Sequence, residues 1–371
     1  MASRAWPRLW VVARAAPHML VRARKRPEIV RRILIAQHLL LGDTIMLAPL
    51  LKRLRQRYSD ADITMLCNPA YVTLFQKHPY GVTALPYDPR SISSLTKIGK
   101  QGRYDIAIVP GDNRWAWLAR AMKSRWIVAF ESDQRTYKDW PVDQFVSFPS
   151  AAQTWGDIAA RLCDAVAPEP YGAGEWLQPD FAPFAEPKET YCVVHLGASS
   201  PHKLWSPDNW SRLIAWAENH GLQVVLTSGR GEEKLIVEVD PKMTRRHYAG
   251  ILDLPQIWQL LRRAKFLVCP DTGIAHLARI VGTPTVALFG PGSPDVSGPG
   301  QFWQASPFVS VTVKDIPCRD QDLLFERKRA WVQHCWRTPK ECGNPICIQA
   351  VTFNQVCDAI AQLGVVPLKT Q

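Results

Sequence analysis

In Val268-Cys269-Pro270-Asp271-Thr272-Gly273-Ile274-Ala275-His276 a short apolar run stops at Pro270 and a helix-forming run begins at Gly273, so a buried strand hands over directly to a helix. The free backbone amides of such a helix start suit an anion, and Gly273 leaves room for a phosphate to approach the backbone. Asp271 is suited to accept hydrogen bonds from sugar hydroxyls, and it fits a plain N-cap equally. His276, one turn on, shares the face of Thr272.

The same alternation extends in both directions. Upstream lie the strand Tyr191–Leu196, a helix from about Asp208 to Asn219, the strand Gln223–Thr227 and a helix around Pro255 to Ala264; downstream lies the strand Thr285–Phe289. The first half reads alike: strand Arg32–Gln37, a helix from about Thr44 to Tyr58, strand Ile63–Cys67, a helix near Tyr71–Gln76 and strand Tyr104–Val109. Between the halves the rhythm stops at Pro170, Gly172, Gly174, Pro179, Pro183 and Pro187. The predicted layout is a basic extension over 1–30, an α/β domain over 31–170, a linker over 171–190, a second α/β domain over 191–350 and a closing helix region over 351–371. Both domains are doubly wound parallel sheets, whose ligands sit beyond the carboxyl ends of the strands.

The net charge of +12 on 371 residues is mostly local. Arg4, Arg8, Arg14, Arg22, Arg24, Lys25, Arg26, Arg31 and Arg32 stand against Glu28 alone, which accounts for a net eight of the twelve charges. The rest of the chain is only mildly basic, which argues against nucleic acid as a partner. The opening segment has no apolar run long enough to span a membrane, and its arginines interrupt any signal-peptide core, so the expected location is cytoplasmic. With Trp6, Leu9, Trp10, Val11 and Val12 between the cations, it reads as a segment lying on an anionic membrane face, an organelle transit peptide or a frayed basic terminus.

Three other loops carry candidate chemistry. Leu40-Leu41-Gly42-Asp43 follows the first strand; Asp43 reads either as a general base facing the crevice or as the cap of the helix after it. His195-Leu196-Gly197-Ala198-Ser199-Ser200-Pro201-His202-Lys203 is a small-residue turn ending in a cation, suited to a diphosphate: Ser199 offers a hydroxyl and Lys203 a compact charge. Thr227-Ser228-Gly229-Arg230-Gly231-Glu232-Glu233 puts acids after a strand, where they either hold ribose hydroxyls or complement a helix dipole.

Taken in order, Leu41-Gly42-Asp43, His195-Leu196-Gly197, Lys203-Leu204-Trp205, Asp271 to His276, Gly282-Thr283-Pro284-Thr285, Leu288-Phe289-Gly290 and Cys342-Gly343-Asn344-Pro345-Ile346-Cys347-Ile348 resemble glycosyltransferase family 9. That family includes the ADP-heptose:lipopolysaccharide heptosyltransferases. The resemblance runs from about Arg32 almost to the end. It implies a GT-B fold, two Rossmann-like domains facing a cleft, with the last helix packing back toward the first domain. It also implies an inverting transfer that needs no metal, with Asp43 as base. Lys203 and the amides of Thr272 and Gly273 would hold the diphosphate, Glu232 or Glu233 the ribose and Asp271 the donor sugar, with Ser199 and His276 beside them. The implied partners are ADP-heptose and a lipid-linked anionic glycan, the lipopolysaccharide core, met at the inner face of a bacterial inner membrane. Asp60-Ala61-Asp62, the nearest approach to a metal-binding acid pair, lies before a strand of the other half.

Two stretches depart from the family pattern: the basic extension, and a long segment over 319–334 whose Arg327, Lys328 and Arg329 could meet an anionic acceptor. Cys318, Cys335, Cys342 and Cys347 supply the four thiols of a structural Zn or Fe site, but they lack paired Cys-x2-Cys spacing, and inert thiols are the preferred reading. A nucleotide-sugar epimerase of the same fold and a non-catalytic nucleotide or nucleic-acid binder using the Arg-rich terminus are the alternatives.

Overall fold

The computed structural model describes residues 5–20, 24–76, 78–172 and 174–366. The chain divides into two compact units: one runs to Glu169 and takes in Leu323–Arg329, the other holds Pro170–Asp322 and the chain from Ala330 on.

The first unit contains α1 (Ala5–Met19), β1 (Arg32–Ile35), α2 (Leu41–Ile45), α3 (Ala48–Arg57), β2 (Asp62–Cys67), β3 (Val82–Pro86), α4 (Ile92–Gly99), β4 (Tyr104–Val109), α5 (Trp115–Ala121), β5 (Ser124–Phe130), β6 (Gln144–Val146) and α6 (Trp155–Ala160). Its sheet is parallel in the order β3-β2-β1-β4-β5-β6. The single helix expected from Thr44 to Tyr58 is two, broken at Met46-Leu47. Pro49 has no N–H for the carbonyl one turn back, so the helix restarts with that proline in its first turn.

The basic extension is not a frayed end. In α1, Ala15 is fully buried in the core with Leu95, Ile98, Leu118 and Met122. Arg14 donates to the carbonyls of Ala121 and Gly99, each at 3.1 Å, and Arg24 pairs with Asp143 at 2.5 Å. Arg4 and Arg22 lie outside the described residues.

The second unit contains β7 (Tyr191–His195), α7 (Pro207–Asn219), β8 (Gln223–Ser228), α8 (Lys234–Val239), β9 (Arg246–Ala249), α9 (Leu254–Arg263), β10 (Leu267–Pro270), α10 (Gly273–Val281), β11 (Thr285–Phe289), α11 (Pro294–Ser297), β12 (Phe308–Thr312), α12 (Ile346–Gln349) and α13 (Phe353–Gln362). Its parallel sheet, β12-β11-β10-β7-β8-β9, repeats the first unit's topology. These are two Rossmann-like domains, the α/β class expected, and in each the strand order reverses beside the unit's first strand.

Two segments belong elsewhere than expected. Most of the expected linker is packed into the second unit: the Tyr171 hydroxyl donates to the Ile280 carbonyl at 3.0 Å, and buried Trp176 lies 6.3 Å from the Trp258 ring. The closing helix α13, expected to return to the first domain, buries Val356, Ala359 and Ile360 in the core of the second unit.

Candidate functional site

In the second unit the reversal point falls between β7 and β10, and the loops leaving those two strands carry most of the donor-side candidates. The stretch after β10 folds as expected. Thr272 is the N-cap of α10, its Oγ1 accepting from the Ile274 amide at 3.3 Å. Asp271 is therefore not the cap. Its carboxylate instead meets Lys203, whose Nζ lies 2.8 Å from Oδ2 and 2.8 Å from the Asp271 carbonyl oxygen. A cation brought from the β7 loop thus stands one residue from a helix start, with its charge balanced by a carboxylate that can also accept hydroxyls. A Cβ on Gly292 would come within 2.6 Å of that carboxylate, so glycine there leaves Asp271 its position.

His276 is buried beneath this group, and its Nδ1 has no hydrogen-bond partner. Burial, with help from nearby Arg279, lowers its pKa to about 3, so it is a neutral imidazole at physiological pH. Ser199 stands exposed on the β7 loop, while Ser200 caps the short 3-10 helix that delivers Lys203.

The two acids after β8 separate. Glu232 turns inward: its carboxylate accepts from the amides of Ala198 at 3.2 Å and Gly229 at 2.8 Å, tying together the loops that leave β7 and β8. A Cβ on Gly197 would overlap this carboxylate, standing 2.0 Å from its Oε2, so glycine there lets Glu232 reach both amides. Glu233 accepts from the Gly231 amide at 2.9 Å and faces solvent. Of the two, Glu232 is therefore the acid near the other donor-side residues.

In the first unit the reversal point falls between β1 and β4, and the loop after β1 carries Asp43. The helix that follows starts at Leu41 with Leu40 as its N-cap, so Asp43 sits inside the first turn and the capping alternative does not hold. Two residues without a sequence signal adjoin it. The Trp155 indole donates to the Asp43 carbonyl at 3.3 Å. The Tyr71 phenol has its pKa raised by burial first and then by Cys67 and Asp43.

The remaining candidates do not join either group. Cys318, Cys335, Cys342 and Cys347 are free thiols, and no group of three or more His, Cys, Asp or Glu side chains among the described residues is placed to hold a metal ion. Cys335 accepts from the Arg337 guanidinium, and Cys342 donates to the Asn344 carbonyl. Arg327, expected to face an acceptor, is buried in the first unit, and Arg329 pairs with Asp133 at 2.9 Å. No helix among the described residues is long and apolar enough to cross a membrane.

The family model for glycosyltransferase family 9 (heptosyltransferase) matches residues 92–324. Lipopolysaccharide heptosyltransferase 3 of Escherichia coli is 26% identical over 280 residues, covering 67% of this chain and 79% of that protein. Among solved structures, the glycosyl transferase family 9 protein of Veillonella parvula aligns with a TM-score of 0.69 at 16% identity, over 92% of this chain and 98% of that one. The Escherichia coli heptosyltransferase WaaC, solved with ADP, aligns with a TM-score of 0.67 at 17% identity, over 90% of this chain and 99% of that one. These likenesses identify the fold as GT-B.

Proposed function

The chain belongs to glycosyltransferase family 9, and on that premise we propose that it transfers heptose from ADP-heptose to a lipopolysaccharide core acceptor, with Asp43 as general base. One observation carries the reading: the two units share one topology, and the candidate residues cluster at the carboxyl ends of the strands flanking its reversal point, Asp43 after β1 in one, Lys203 and Asp271 after β7 and β10 in the other.

In the second unit Lys203 and the Thr272 and Gly273 amides hold the diphosphate, Glu232 the ribose hydroxyls, and Asp271 the sugar. Ser199 and His276 complete that side, the neutral imidazole adding no charge that would compete with Lys203. In the first unit the acceptor hydroxyl lies against Asp43. Its oxygen attacks the anomeric carbon, its proton passes to the Asp43 carboxylate, and the bond from that carbon to the diphosphate oxygen breaks with inversion. Negative charge grows on the leaving ADP, where Lys203 and the start of α10 stabilise it, so these residues supply the positive charge the reaction needs without a metal.

The enzyme works at the cytoplasmic face of the inner membrane. Exposed Trp6, Leu9 and Val12 on α1, with Arg8 among them, support peripheral contact with an anionic surface. In the direct test, incubation with ADP-heptose and truncated lipopolysaccharides is expected to add one heptose mass to an acceptor. Absence of transfer to every acceptor, or conversion of the donor without one, would remove the assignment.

A further inference from the structure

Residues 323–329 lie among the second unit's segments in sequence, yet they fold as part of the first. Leu323–Leu324 pair antiparallel with Arg327–Lys328, and the two turn residues are Phe325 at φ 48° and Glu326 at φ 67°. A two-residue turn with both φ values positive ordinarily takes Asn-Gly; a phenylalanine and a glutamate there carry strain that their surroundings must hold in place.

Glu326 pairs with Lys138, and the buried anchor is Arg327. Its buried guanidinium donates to the carbonyls of Glu131 at 2.8 Å, Phe130 at 2.9 Å, Gly111 at 3.2 Å and Phe325 at 2.8 Å, and to Asn113 Oδ1 at 3.0 Å. With Arg327 anchored at the carboxyl ends of β4 and β5, Phe325 reaches Trp155 on α6, beside the Asp43 loop. Its ring lies 4.3 Å from that of Trp155, the side chain that donates to the Asp43 carbonyl. At the other end of the same loop, a side chain on Gly111 would stand 3.3 Å from both Leu39 and Phe325, so these two flank one glycine.

We infer that the hairpin Leu323–Arg329 is a positioning element for the catalytic loop, with Phe325 acting through Trp155 on Asp43 and Arg327 as its anchor. This rests on the reading of Asp43 as the base. A general base misplaced by a fraction of an ångström loses rate while ground-state binding in the other unit is untouched, so the hairpin acts on kcat rather than on donor affinity.

The test uses full-length protein. Phe325→Ala is expected to lower kcat about 10-fold or more, with ADP affinity by calorimetry and donor KM within about twofold of wild type. Phe325→Tyr is expected to restore kcat. Trp155→Phe, which keeps a ring and removes the indole donor, is expected to share the kcat loss, and it is the variant to read if Phe325→Ala does not fold. Wild-type kcat in either variant, or a parallel loss of ADP affinity, overturns the inference. Asp43→Asn, run alongside, separates the two claims. Full activity there sinks the base assignment and the hairpin role with it; an inactive Asp43→Asn beside an unaffected Phe325→Ala sinks the hairpin role alone.

Discussion

Lys203 and Asp271 are 68 positions apart in the chain and 2.8 Å apart in space, and the reason is local at each end. A Ser-capped 3-10 turn presents the lysine, and a Thr-capped helix start frees the aspartate from capping. The crowding of these residues at strand ends was legible, but the caps were not: the sequence offered Asp271 as a cap, and Thr272, one residue on, takes that place. The sequence left Glu232 and Glu233 equivalent; what separates them is two backbone amides, of Ala198 and Gly229, that converge on one carboxylate only after β7 and β8 pair. Trp155 and Tyr71 had no local signal at all, because an indole or phenol beside Asp43 looks in sequence like any core aromatic. One prediction belongs to a single residue far from this chemistry. Lys123, just past α5, is held at φ 60°, a conformation that costs an L-residue and not glycine. Lys123→Gly should therefore stabilise the protein by roughly 0.5–1 kcal/mol. Chemical denaturation would show this as a raised midpoint, and a lowered one would contradict it.

At the level of elements, β4 and β11 matched their predicted limits residue for residue, since short, largely apolar runs bounded by turn residues admit few readings. The edge strands were not found. β6, β9 and β12 each have one neighbour, are partly exposed and mix polar with apolar residues, as in Arg246-His247-Tyr248-Ala249, so no continuous apolar run marks them. Element packing also bears on the Asp43 loop. On α6, a Cβ at Gly156 would stand 2.9 Å from the Met46 carbonyl oxygen and 3.2 Å from Pro49 Cγ, so α6 lies flush against the break between α2 and α3. Gly156→Ala must push those helices apart, and a loss of roughly 1–3 kcal/mol in stability is expected, accompanied by reduced transfer. Unchanged denaturation and activity would mean that the contact is not tight.

Across the whole molecule, the α/β class and the two parallel sheets could be read from the alternation of strands and helices. The return of residues 323–329 to the first unit could not, because no local pattern records which unit a hairpin will join. Stability over the chain should depend on pH through buried imidazoles. Burial lowers the pKa of His195 to about 4 and that of His276 to about 3. An unfolded histidine takes a proton near pH 6.5. The stabilisation from keeping these rings neutral is therefore complete above that pH and is lost as pH falls toward the folded values, at up to roughly 1.4 kcal/mol per pH unit for each ring. Between pH 7.0 and 5.5 the pair should contribute a loss of roughly 2 kcal/mol. Urea midpoints at the two pH values would reveal it, and His195→Gln should remove about half of that loss; an unaltered difference in the variant would show that His195 does not titrate this way.

The transferase reading stands or falls on one comparison: heptose transfer to a lipopolysaccharide core acceptor by wild type and by Asp43→Asn, with ADP affinity measured on both. Wild type should add a single heptose, and the variant should lose about 100-fold or more in kcat while binding ADP as wild type does. A fully active Asp43→Asn, or a wild type that binds ADP and transfers nothing, would contradict it.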